Sequence, residues 1–121
     1  MREHLLQWQW ELYPPAHRDR RNLTIHLLTA PLFQLGVLGL VLSPLVGGVW
    51  AVPSLAAMVA ALAAQGRGHK LERQAPAPFL GPLDVMARFF AEQWVTFPRF
   101  VLSGGFARAW REAAPAATPA P

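Results

Sequence analysis

Residues 23–64 read LTIHLLTAPLFQLGVLGLVLSPLVGGVWAVPSLAAMVAALAA and contain no Asp, Glu, Lys or Arg. About 20 consecutive apolar residues cross the hydrocarbon of a bilayer once, at about 1.5 Å per residue. The stretch is long enough for two crossings, and Ser43-Pro44 marks a break near its middle. The sequence therefore predicts two spans, about 23–42 and 45–64, joined by a tight turn. Gly47-Gly48 and Pro53 fall in the second, where neighbouring groups can satisfy the freed backbone. The predicted class is an all-α membrane protein, a helical hairpin of two transmembrane helices.

The rest of the composition agrees. Of 121 residues, 53% are hydrophobic and 15% charged, against roughly a quarter charged in soluble domains. Absence of cysteine excludes disulfide scaffolds, zinc fingers and thiol nucleophiles. The net charge of +4 is not gathered into a nucleic-acid-binding motif, so no nucleic acid is expected as partner. Anionic lipid headgroups, at about 1 kcal/mol per nearby basic residue, explain the excess more simply. All 11 Lys and Arg flank the hairpin and none lies between the spans. The positive-inside rule then puts both termini in the cytoplasm, and a bacterial inner membrane is the expected location. A homo-oligomer stays open.

Met1 to Tyr13 lacks the apolar region and cleavage site of a signal peptide. Its Trp8, Trp10 and Tyr13 read as interfacial anchors. Leu83, Met86, Phe90 and Trp94 recur at helical spacing, but Arg88, Glu92 and Arg99 interrupt the apolar pattern. Residues 83–102 therefore read as interfacial or short re-entrant helices, with a short third span as the alternative. Glu92 either serves a site or pairs with Arg88 four residues earlier, and the pair is favoured. Residues 1–112 form one membrane domain, and 113–121 an Ala/Pro tail expected to be disordered.

Three histidines bracket or enter the apolar stretch: His17, His26 and His69. An ionisable residue at membrane depth points to function. Nine helical steps of about 100° would put His17 and His26 on opposite faces. They share a site only if His17 lies at or before a helix start, which Pro14-Pro15 supports. Asn22 and His26 share a face, as do His69 and Glu72 if that segment is helical. A hairpin returns His69 to the depth of His17, gathering all five residues at one interface. Such a cluster suits Fe(II), Zn or Cu. Three imidazoles could ligate one ion, or two with Glu72 could form a facial triad. Asn22 and Glu72 could otherwise orient the rings.

The strings Tyr13-x3-His17-x4-Asn22-x3-His26, followed by Pro31, and Gly68-His69-x2-Glu72-x3-Pro76-Ala77 resemble two blocks of the small membrane 2-hydroxy fatty acid dioxygenases. That family includes a fungal α-oxidation enzyme and many bacterial proteins. The segment from Phe89 to Phe106, with Glu92, Phe97 and Pro98, corresponds to a further apolar segment with an acidic residue. Departures are a shorter chain and Thr29 in place of a usual glycine. The resemblance implies an Fe(II)-dependent enzyme that shortens 2-hydroxy fatty acids by one carbon with dioxygen. It implies His17, His26 and His69 as metal ligands. The partners would be a lipid-like substrate, dioxygen and the membrane. Arg18, Arg21 or Arg67 is expected to pair the substrate carboxylate, since a guanidinium fork matches it. The alternative is a non-enzymatic structural or adaptor hairpin whose histidines only hydrogen-bond.

Overall fold

The protein is described from a computed structural model over residues 3–113. The elements are α1 (Leu5–Leu12), a 3-10 turn (Pro14–Ala16), α2 (Arg20–Val46), a 3-10 turn (Gly48–Trp50) and α3 (Ala51–His69). After a loop come α4 (Pro82–Ala91), a π-helical turn (Glu92–Thr96), α5 (Phe97–Leu102) and α6 (Gly105–Glu112). No strand occurs among the described residues. Apart from Ala113, the tail expected to be disordered lies outside them.

Helices α2 and α3 form the hairpin, and both are long and apolar enough to cross a membrane. Only 22% of the most apolar window of α2 and 17% of that of α3 is buried within the protein. Leu28, Leu35, Val41, Leu45, Val52 and Val59 are among the exposed apolar side chains. A helix apolar all round but unburied by its own chain suits lipid rather than water.

The turn is not where the prolines suggest it. Helix α2 runs through Ser43-Pro44 and stops at Gly47, whose φ of 131° favours glycine. Pro44 cannot donate to the Leu40 carbonyl, but the Ser43 hydroxyl does so instead at 2.8 Å. The helix is thereby carried one further turn. Gly36 and Gly39 let α3 approach closely. A Cβ on Gly36 would lie 2.7 Å from Met58 Cγ and 2.8 Å from the Ser54 carbonyl oxygen. Gly36→Ala is expected to cost about 1–3 kcal/mol, read as a lowered unfolding midpoint in detergent.

The C-terminal half is not a set of separate surface helices. Residues 82–102 form one helical run whose π turn precedes Pro98. The run lies antiparallel to α2. Phe90 meets Phe33 with ring centroids 5.4 Å apart, and Phe97 stands 6.1 Å from the His26 ring. Phe100 packs edge-on against Tyr13 at 5.0 Å. The segment thus runs from beside the middle of α2 to the level of His17. A buried amide layer fastens it. Gln65 and Gln93 exchange hydrogen bonds of 3.0 and 2.7 Å, and Gln34 Nε2 donates to the Gln93 carbonyl at 2.7 Å. Hydrogen-bonded amides of this kind help hold membrane helices together.

Candidate metal centre

His17 is placed by the chain's departure from helical geometry. After the Pro14–Ala16 turn its φ and ψ are −135° and 69°. Asp19 then caps α2, accepting from the Arg21 amide at 2.8 Å. The ring of His17 can therefore face that of His26 despite the nine-residue spacing. Both are buried, with centroids 4.7 Å apart. His69, at the last turn of α3, stands 5.0 Å from each of the other two rings. The three imidazoles expected to converge do so.

The carboxylate that joins them is Glu92. One ligand atom from each of His17, His26, His69 and Glu92 lies within 4.8 Å of the other three. That span is comparable with the ~4 Å between opposite ligands on an ion with bonds of about 2.0–2.2 Å. Glu92 Oε2 is 3.3 Å from His26 Nε2 and 3.7 Å from His17 Nε2. The sequence favoured a pair with Arg88. The structure turns the carboxylate to the imidazoles, because the π turn begins at Glu92 and α1 packs against it. Arg88 instead has its Nη1 3.7 Å from Asp84, 2.9 Å from the Ala77 carbonyl and 3.2 Å from that of Pro78.

The hydrogen bonds fix the ring tautomers. His17 Nδ1 lies 2.8 Å from the Tyr13 carbonyl, and His26 Nδ1 lies 3.0 Å from that of Asn22. A carbonyl only accepts, so each Nδ1 carries a proton, and it is Nε2 that each ring can offer to a metal ion. Those two nitrogens face each other at 3.4 Å, beside an anionic oxygen. His69 Nδ1 is also buried with no hydrogen-bond partner. Lone pairs converging in a buried pocket repel unless a cation or proton lies among them. The donor set, imidazole nitrogens plus a carboxylate, fits a borderline divalent ion such as Fe(II).

The protonation states agree. Burial pushes the His17 imidazole down to about 3. Neutral imidazole and carboxylate are the forms that bind metal.

Tyr13 is the second residue that differs from expectation. It is buried rather than an interfacial anchor. Its ring stacks on His17 at 3.8 Å, and its hydroxyl donates to Glu92 Oε2 at 2.8 Å. Burial, with the adjacent Glu92, raises its pKa well above 10.0, so it remains a donor. Tyr13→Phe preserves the ring stack but frees Glu92. It is expected to weaken metal affinity about 10–100-fold, measured by chelator competition.

Asn22 and Glu72 hold the frame around the rings. Glu72 accepts from Asn22 Nδ2 at 2.8 Å, from the Arg18 amide at 2.9 Å and from the Asp19 amide at 3.0 Å. It thereby ties the loop after α3 to the start of α2. Gly68 permits this approach, since a Cβ there would overlap the Asn22 side-chain oxygen. Arg21 pairs with Asp19 at 2.9 Å, and Arg18 and Arg67 are exposed. None of the three lines the cavity of about 210 Å³ beside His17, His69 and Glu92, whereas Arg88 does.

No curated protein and no solved structure gives a significant match to this chain. One family does, described as 2-hydroxy-palmitic acid dioxygenase Mpo1-like, and the match covers residues 4–101. That span takes in α1, the hairpin, the three histidines and Glu92, and the chain belongs to the Mpo1-like family.

Proposed function

We propose that this protein is an Fe(II)-dependent dioxygenase that shortens 2-hydroxy fatty acids by one carbon. The observation that carries the proposal is the convergence of three imidazoles and Glu92 on one buried point. His17, His26, His69 and Glu92 would hold the iron. When bound, it would supply the redox centre at which dioxygen and the 2-hydroxy acid meet. The reaction needs no added reductant: R-CH(OH)-COOH and O2 balance to R-COOH, CO2 and H2O, the substrate's C–C bond being broken.

The chain's own groups orient and exclude. The Tyr13 and Asn22 carbonyls fix the two Nδ1 protons, aiming Nε2 inward. The Tyr13 hydroxyl holds Glu92 in place. Phe97 and Phe100 shut the inner side against water. Arg88 lines the cavity and brings a guanidinium to the side where the substrate carboxylate would lie. The hairpin spans the membrane with both termini cytoplasmic, which the exposed apolar belt and the flanking Arg support.

The test is anaerobic loading of detergent-purified protein with Fe(II), followed by addition of 2-hydroxypalmitate and oxygen. Oxygen uptake with equimolar CO2 is the expected result. Neither metal retention nor uptake would leave a hydrogen-bonded structural hairpin.

A further inference from the structure

The cavity beside the imidazoles has a second mouth. A space of about 190 Å³ shares Gln9, His69, Pro76, Arg88 and Glu92 with the first. From that common centre the two diverge. The first is flanked by Leu12, Ala16 and Gln74, near the N-terminal segment and the loop after α3. The second is flanked by Leu62 and Gly66 of α3 and by Phe79 and Phe89. Leu62 lies two turns along α3 from His69, inside the hairpin's apolar half. Phe79, Leu80, Leu83 and Met86 are exposed along the loop and α4 beside it, so this mouth opens among groups suited to lipid.

We infer that the acyl tail of the substrate reaches the metal centre sideways from the bilayer, through the gap between α3 and α4. This inference rests on the dioxygenase proposal. The lining supports one occupant. It is apolar at Leu62, Phe79 and Phe89 and polar where Gln9, Arg88 and Glu92 meet His69, while Gln65 on the α3 wall has its amide bonded to Thr29 and Gln93. That is the polarity of a fatty acid with its head at the metal. The space is smaller than the roughly 300 Å³ at which pockets enclose a drug-sized ligand. The tail therefore continues into lipid and is not coiled inside the protein. Gly66 lines this space, and a Cβ there would meet nothing within 4 Å. A large side chain at Gly66 can accordingly block the mouth with no clash in the fold.

The experiment uses iron-loaded full-length protein and its Gly66→Phe variant, in lipid nanodiscs. Metal content and kcat/KM are measured on 2-hydroxypalmitate and on 2-hydroxybutyrate. In addition, a long-chain 2-hydroxy acid with a mid-chain diazirine is photolysed, and the adducts are mapped by mass spectrometry. Gly66→Phe should keep its metal and its turnover of 2-hydroxybutyrate. It should lose about 10-fold or more on 2-hydroxypalmitate. Wild-type adducts should fall on α3 and α4 near Leu62 and Phe89. Equal effects of Gly66→Phe on both substrates, or adducts at Leu12 and Ala16, would overturn the lateral path. A wild-type chain without metal or turnover would sink the dioxygenase proposal itself, while the adduct positions still report the path.

Discussion

Replacing His26 is expected to abolish metal binding and all turnover. Its ring is fully buried, presents Nε2 to His17, and stands beside Glu92 and His69. Its removal takes away one of the converging nitrogen donors and opens a void between the other two rings. His26→Gln offers a polar group of similar volume, so the void is filled while the imidazole is lost. Bound iron should fall from about one ion per chain to near zero in both His26→Ala and His26→Gln, measured by elemental analysis after anaerobic loading. Disturbing a group that merely orients a ligand costs about 10–100-fold in affinity, and loss of a ligand itself should exceed that. Retention of metal by His26→Gln, with an unchanged melting midpoint, would show that His26 only hydrogen-bonds.

Glu92→Gln is the second large effect. The amide is almost the shape of the carboxylate and can still accept from the Tyr13 hydroxyl at the 2.8 Å position. What it loses is the negative charge facing the two Nε2 atoms at 3.3 and 3.7 Å. Fe(II) affinity should drop by more than about 100-fold, with helix packing intact. Chelator competition gives the affinity, and the melting midpoint reports the fold. Unaltered affinity would reduce Glu92 to a hydrogen-bond partner of the rings.

The two outcomes together bear on what was legible in the amino-acid order. The hairpin was legible because an uncharged stretch of two bilayer lengths leaves few alternatives. The histidine set followed, since a hairpin must bring the ends of its two arms together. Even the non-helical placement of His17 could be anticipated from Pro14-Pro15, which the 3-10 turn bears out. The turn at Gly47 was missed because a serine hydroxyl replaces the hydrogen bond that Pro44 lacks. Glu92 and Tyr13 meet across 79 residues, through α1 docking on the π turn. No local spacing encodes that contact. Arg88 beside Glu92 on one helix looked like a surface ion pair, because periodicity cannot see that the run is packed on two sides. For the same reason Arg88 was not read as lining the cavity beside His17, His69 and Glu92.

X-ray absorption on the anaerobic Fe(II) complex tests the central claim most directly. A single ion per chain, with about three imidazole nitrogens and carboxylate oxygen in its coordination shell, is the predicted result. An iron shell of oxygen alone, or no saturable binding, would contradict it.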